Sequence, residues 1–364
     1  MQMKVKLKEL GIIITGNTPS KNNQDYWNSN DICFVKPDII SDEKVNIISK
    51  SKEYVSYKAQ DKARIVQKNS IFVTCIGNIG KIGIASDGMY AFNQQINAIV
   101  PNEKVDSKYL AYCLLFNKSR LNSVANAPIV PIINKTQFGE IVINIEEDRD
   151  KQRKIVKVLD LVSSVIDTRK KQLEKLDELI KDRFVEMFGD PIINPKGFPC
   201  YSVGEVIDFQ GGSQPDKKYF EYESTPENIR LIQIRDYKSD KYITYIPRSM
   251  AKRFCTADDI MIGRYGPPIF QILKGIEGSF NVALMKATPK MGNREFIRQF
   301  LKQDCLLEYL EGLSKRTAGQ DGIQMDKLKA FPFPYPPFEL QEQYAIFVNE
   351  VNKSKFNKEM EMVA

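Results

Sequence analysis

The chain has 364 residues, of which 42% are hydrophobic, with a formal net charge of +7, six cysteines and no histidine. That length suits two domains, each with its own core, and the modest positive charge fits a polyanionic partner. The missing histidine excludes Ser-His and Cys-His nucleophiles, histidine metal sites and imidazole acid–base chemistry near neutral pH.

The opening residues 1–10 alternate lysines with apolar side chains and lack a signal-peptide core. No run approaches the roughly 18–20 apolar residues of a membrane helix, so the expected location is the cytoplasm. Residues 12–15 lead into a turn at Gly16-Asn17-Thr18-Pro19. Short β-branched or aromatic runs follow at 32–35, 45–48, 65–66, 71–76, 81–85 and 96–100, each bounded by turn-forming residues, which predicts a mainly β domain. A helix is expected from Ser107 to Phe116, with an apolar counterpart at 295–313. Cysteines 33, 75, 113, 200, 255 and 305 form no Cys-x-x-Cys pair, so buried free thiols are expected rather than disulfides or zinc.

Between the halves the pattern changes. Ile155, Leu159, Val162, Ile166, Leu173, Leu176, Ile180 and Met187 follow a heptad-like alternation, with Arg169 and Arg183 interrupting the seam. The segment ends at Gly189-Asp190-Pro191, a helix stop signal. Some 38 residues at about 1.5 Å each make a rod of roughly 57 Å. A hydrophobic seam of this length predicts a coiled-coil spacer, because exposed Leu, Ile and Val would need cover. A second helix is expected from Phe338, after the proline-rich 331–337, with Ile346, Phe347, Val351, Phe356 and Met360 as its stripe. It is about half as long as the first. Much of the central seam is therefore expected to need another subunit or a second copy of this chain, giving a homodimer.

The chain also repeats itself. Glu9, Leu10, Gly16 and Pro19 recur at the same spacing as Glu205, Val206, Gly212 and Pro215. Residues 71–74 with Gly77 correspond to 260–263 with Gly266, Phe92-Asn93 to Phe280-Asn281, and 151–156 to 342–347. Glycines, prolines and core-type residues match while polar residues differ, as in one scaffold carrying two binding surfaces. The fold class is α+β: two homologous mainly-β domains at 1–148 and 191–338, a long helix at 149–190 and a short distal helix at 339–364.

These features, together with residues 7–10, Pro19-Ser20, the Gly-rich segment 76–81 and the exit from the long helix at 184–191, closely resemble the specificity subunit of Type I restriction-modification enzymes. The resemblance covers essentially the whole chain and rests on the ordered, repeated set rather than any single motif. It implies two target recognition domains, each reading half of a bipartite site on double-stranded DNA. It also implies helices that set the spacing and dock methyltransferase (modification) subunits, with a restriction subunit joining. No catalytic residue, metal or cofactor is then expected in this chain.

Base and phosphate contacts draw on Arg, Lys, Asn, Gln, Ser and Thr on loops. The candidates in the first half are Asn17, Thr18, Ser20, Lys21, Lys36, Asn78, Lys81, Asn93, Gln94, Gln95, Asn134 and Lys135. In the second half they are Ser213, Gln214, Lys217, Arg235, Arg264, Tyr265, Asn281, Lys315, Arg316 and Gln320. Two other readings compete: a coiled-coil adaptor with two protein- or glycan-binding domains, and a standalone nuclease using Asp38 and Asp42. The spacing of 77–83 does not match Gly-x4-Gly-Lys-Ser/Thr and reads as a turn between strands. The Pro-Pro pairs lack the Asn/Asp-Pro-Pro-aromatic context of an adenine methyltransferase.

Overall fold

The structure is a computed structural model that describes residues 2–125, 130–265, 269–314 and 323–363. The chain divides into two compact units, Met1–Thr168 and Arg169–Ala364.

The first unit contains strands β1 (Gln2–Lys6), β2 (Gly11–Thr15), β3 (Ile32–Val35), β4 (Asn46–Ile48), β5 (Glu53–Val55), β6 (Ile65–Gln67), β7 (Ile71–Thr74), β8 (Ile82–Ala85), β9 (Met89–Phe92), β10 (Ile96–Pro101) and β11 (Val142–Glu146). Its helices are α1 (Ser107–Phe116), α2 (Lys118–Val124), α3 (Lys135–Glu140) and the opening of α4 (Arg149–Phe188). The strands form sheets ordered β2-β10-β7-β8-β4 and β5-β3-β9-β6, with β1 pairing β11. Strands β3, β7 and β8 are buried at every position, which is why their sequences read as continuous apolar runs rather than alternating ones.

The second unit repeats this arrangement with β12 (Cys200–Ser202), β13 (Ile207–Gly211), β14 (Asn228–Ile232), β15 (Tyr245–Pro247), β16 (Phe254–Cys255), β17 (Ile260–Gly263), β18 (Gln271–Lys274), β19 (Gly278–Phe280), β20 (Leu284–Pro289) and β21 (Pro332–Pro334). Its helices are the end of α4, α5 (Val203–Val206), α6 (Arg294–Leu301), α7 (Asp304–Ser314), α8 (Met325–Ala330) and α9 (Phe338–Val363). The sheet orders are β13-β20-β17-β18 and β15-β14-β19-β16, with β12 pairing β21. Apart from the edge strand β4, which pairs parallel with β8 and has no counterpart among the described residues, this is the order of the first unit, and both copies share a parallel pair in the same place, β3 with β9 and β14 with β19. The apolar segment expected at 295–313 is broken into α6 and α7 by the turn at Lys302 and Gln303.

One buried glutamine sits at the same joint in each unit. Gln152 is fully buried; its Oε1 accepts from the N–H of Asp106 (2.8 Å), which caps α1, and its Nε2 donates to Glu146 O (2.7 Å). Gln341 is also fully buried; its Oε1 accepts from the N–H of Asn293 (2.9 Å), which caps α6, and its Nε2 donates to Pro336 O (2.8 Å). These bonds make Gln341 the partner of Gln152. The sequence register that matched Gln152 with Gln343 is therefore wrong by two residues, because the unlike polar residues around it carry no alignment signal.

The seam of α4 is covered only in part. In the second unit Ile180, Phe184 and Phe188 are buried with Tyr344, Val348 and Val351 of α9, and Leu176 and Met187 pack against the same cluster. Tyr344 donates its hydroxyl to Ile180 O (2.9 Å) and Lys355 pairs with Asp177, so α9 runs antiparallel to this part of α4. Arg183, expected to interrupt the seam, lies over the Phe347 ring at 5.9 Å. Leu173 is half-buried. In the first unit the expected row is not the packed one. Ile155, Val162 and Ile166 are 39%, 48% and 40% exposed, while Gln152, Val156 and the half-buried Leu159, Asp160 and Ser163 face the globule. The cause is α1: Asp160 accepts from Tyr112 Oη (2.8 Å) and Lys108 Nζ (2.6 Å), which fixes the helix rotation by polar contacts that a hydrophobic pattern does not register.

Replacing Gln152 or Gln341 with leucine leaves a buried cap N–H and a carbonyl without partners and is expected to cost about 1–3 kcal/mol in urea unfolding. The exposed neighbour Glu342→Ala should stay within about 0.5 kcal/mol.

Candidate nucleic-acid interface

In each unit the ends of the parallel strands force several loops together. Gly16 N–H donates to Ile96 O (3.0 Å), Asn17 N–H to Phe92 O (2.9 Å) and Asn93 N–H to Val35 O (3.2 Å). The second unit repeats all three: Gly212 N–H to Leu284 O (3.1 Å), Ser213 N–H to Phe280 O (3.0 Å) and Asn281 N–H to Ile232 O (3.0 Å). The backbones approach so closely that a Cβ on Gly16 would sit 2.2 Å from Asn93 O, and one on Gly212 2.0 Å from Asn281 O. Only glycine fits either position.

In the first unit this closure gathers the candidates. Cys75 N–H bonds Gln95 O (2.8 Å), Ile133 N–H bonds Cys75 O (2.9 Å), and Lys81 Nζ reaches Pro37 O (3.2 Å), so the loops bearing residues 17–21, 36, 78–81, 93–95 and 134–135 form one connected neighbourhood. Several of the side chains have internal work. Asn93 is buried, donates to Gln95 Oε1 (2.9 Å) and accepts from Gln95 N–H, and Asn281 is buried and accepts from Ala283 N–H (3.1 Å). Both side chains thus hold their own turns closed. Asn17 ties down the neighbouring loop, donating to Lys62 O and accepting from Arg64 N–H, both at 2.7 Å. Asn134 caps α3 with Gln137 in a reciprocal pair.

Of the remaining first-unit candidates, Lys81 and Gln95 are half-buried and bonded within the loops, while others are more exposed. Thr18 donates to Gln94 Oε1 (2.9 Å), Ser20, Asn78 and Lys135 are exposed, and Lys21 and Lys36 both pair with Glu53. Lys36, and then Lys21, holds the Glu53 carboxyl below its ordinary pKa. Lys21 also lies over the indole of Trp27 at 5.1 Å, and the indole N–H bonds Ser20 O (3.1 Å). Trp27 and Arg64, whose guanidinium bonds Thr15 O (2.5 Å), belong to this surface and were missed. A lysine six residues before the chain's single tryptophan was the available signal.

The second unit presents arginines and lysines stacked on tyrosines. Gln214 and Lys217 are exposed and Ser213 half-buried on the loop after Gly212. Arg235 donates to Thr244 Oγ1 (3.1 Å) and lies 5.8 Å from the exposed Tyr242 ring, with Lys241 over the same ring at 5.2 Å. Arg264 lies over Tyr265 at 5.4 Å. Tyr242, Lys241 and Thr244 were not anticipated. Lys315, Arg316 and Gln320 lie outside the described residues.

Neither acidic group of the nuclease reading stands apart as a metal cradle. Asp38 pairs with Lys52 (2.9 Å) and Asp42 with Lys118 (2.6 Å), each carboxyl held below its ordinary pKa first by its own lysine. Among the described residues no cluster of three or more potential metal ligands occurs, and no helix is long and apolar enough to cross a membrane.

The thiols differ from expectation at one place. Cys33, Cys75 and Cys255 are buried and Cys113 and Cys305 half-buried, but Cys200 is exposed on the short strand β12. Burial pushes the Cys75 thiol up to about 12. Since the thiolate is the reactive form, iodoacetamide at pH 8 should alkylate Cys200 in the native protein and reach Cys75 only after unfolding in urea. Peptide mass mapping reads both, and native-state labelling of Cys75 would contradict this packing.

Comparison with known proteins agrees with this architecture. Residues 2–178 match the family described as Type I restriction modification DNA specificity domain. The chain is 27% identical over 275 residues to the Type I restriction enzyme MjaIX specificity subunit of Methanocaldococcus jannaschii, covering 65% of this chain and 63% of that one. It is 25% identical over 323 residues to the MjaVIII specificity subunit of the same organism, covering 79% and 73%. The solved S subunit of a Type I restriction-modification system from M. genitalium shares the fold, with a TM-score of 0.53 at 15% identity, covering 100% of this chain and 92% of that one.

Proposed function

Since the chain belongs to the specificity-subunit family of Type I restriction-modification enzymes, we propose that it is the DNA-reading subunit that directs such an enzyme to a bipartite site. Each unit reads one half-site through the loops gathered at Gly16 and Gly212. The observation that carries this reading is a duplicated scaffold whose closure is the same in both copies while the side chains it presents differ: Asn17 against Ser213, Cys75 against Arg264, Lys36 against Gln233. A binder of one repeated ligand would have no reason to vary those positions. Two half-sites of different sequence would.

The long helix and its antiparallel partner are then the ruler between half-sites and the docking surface for modification subunits, with a restriction subunit joining them. The apolar stripe of Ile155, Val158, Leu161, Val162, Val165 and Ile166 on α4 favours a further protein partner, a modification subunit or a second copy of this chain. The chain itself performs no catalysis, and methylation and cleavage belong to its partners.

Two outcomes test this. Neutralising phosphates releases counterions, so DNA affinity should fall linearly with the logarithm of salt with a slope of about −0.9 per phosphate contact. An adaptor binding a neutral protein or glycan would give a flat line. Inserting one heptad into α4 is also expected to change the number of unread base pairs between half-sites, as mapped from methylated sites in cells carrying the modification subunits. Unchanged spacing would refute the ruler.

A further inference from the structure

Among the described residues, four arginines have an Nε shielded from solvent and without a hydrogen-bond partner: Arg149, Arg230, Arg264 and Arg298. In three of them another guanidinium nitrogen reaches an acceptor: Arg149 to Glu103 O (2.7 Å), Arg230 to Asp240 Oδ1 (3.1 Å) and Arg298 to Asp258 O (2.9 Å). Arg264 differs. Among the described residues its side chain makes no hydrogen bond and no ion pair, and its guanidinium lies over the ring of Tyr265, which is 49% exposed. Its shielded Nε cannot be reached from solvent, so the two terminal nitrogens, unbonded among the described residues, are the donors that a ligand would meet, and an acceptor there would offset part of the cost of holding the charge at the surface of the fold.

Its backbone is not a mobile loop. Arg264 follows β17 directly, and its N–H donates to Ala283 O (3.0 Å) in the turn after the buried Asn281. Gly211, just before the close approach at Gly212, lies beside the guanidinium, with its Cβ position 3.8 Å from Nη1. The group is thus anchored by a strand, placed over an aromatic ring and set at the gathered loops.

The first unit supplies the comparison. Cys75 follows β7 directly and its N–H donates to Gln95 O (2.8 Å), so it occupies the place of Arg264. There the side chain is a buried thiol whose Sγ accepts from Asn97 Nδ2 (3.3 Å). Phosphates are alike along every duplex, so a phosphate contact would serve both copies equally; base edges differ between half-sites. A position that changes from an inert thiol to an unpaired guanidinium suits the second task. A planar fork of donors matches the O6 and N7 acceptors of guanine in the major groove.

We propose that Arg264, held against Tyr265, reads a guanine in the half-site of the second unit. This rests on the DNA-reading function proposed above and names a base for one residue of it. The test is selection from a randomised duplex library by the full chain in the complex with which it purifies, comparing wild type, Arg264→Ala and Arg264→Lys. The wild-type consensus should contain a guanine that Arg264→Ala relaxes to any base, with affinity for the guanine-bearing duplex falling about 10-fold or more, while the other half-site is unchanged. Arg264→Lys, which keeps charge and stem without the fork, should not restore the preference, and it carries the test should the alanine variant unfold. An unaltered consensus overturns the proposal. So does uniform weakening across all sequences with a salt slope smaller by about one, the signature of a phosphate contact, and so does rescue by lysine. A wild type that selects no sequence would instead fail the DNA-reading function itself.

Discussion

The close passage of two backbones at Gly16 and at Gly212 is the constraint from which each candidate binding surface follows. A parallel strand pair ends there, the next loop crosses over it within contact of a carbonyl, and no side chain can be inserted. An asparagine at the turn, buried in both copies, accepts the backbone N–H two residues on and holds the crossing closed. With that geometry fixed by backbone and buried groups, the outward side chains on the same loops are free to vary without cost to the fold. One scaffold can therefore carry two surfaces of different chemistry, a lysine over an indole in one copy and arginines and lysines over tyrosines in the other.

A second shared device joins each globular unit to its helix. Gln152 and Gln341 each satisfy the cap residue of the packed helix and the carbonyl of the incoming segment. An apolar residue at this point would pack but would not orient; a fully bonded buried amide admits one arrangement. The seating of α4 against α1 in the first unit and of α9 against α6 in the second is set by these bonds together with packing, chiefly the aromatic group of Phe184, Phe188, Phe296 and Tyr344 in the second unit, whose rings lie 4.8–5.7 Å apart.

The repeat was legible in the sequence because glycine, proline and core residues are the ones that backbone geometry dictates. Strands such as β3 and β8 were legible as uninterrupted apolar runs, and α4 as a long pattern without glycine or proline. Strands β5 and β9 were not, since Glu53-Tyr54-Val55 and Met89-Tyr90-Ala91-Phe92 are too short or too mixed to stand out before their partners are known. The packed face of α4 near α1 escaped for a different reason: Asp160 and Gln152 set it through hydrogen bonds, while the apolar row at Ile155, Val162 and Ile166 points away. At the candidate surface, composition identified polar loop residues but could not separate Asn93, held inside its own turn, from Arg264, which has no acceptor among the described residues. That distinction exists only once burial and partners are known.

Exchanging the first unit for a second copy of the other, then determining the selected duplex sequence of the complex, addresses the central claim most directly. If each unit reads its own half-site, the hybrid selects two identical half-sites, both of the kind read by the second unit. An asymmetric consensus unchanged from that of the natural chain would contradict the account.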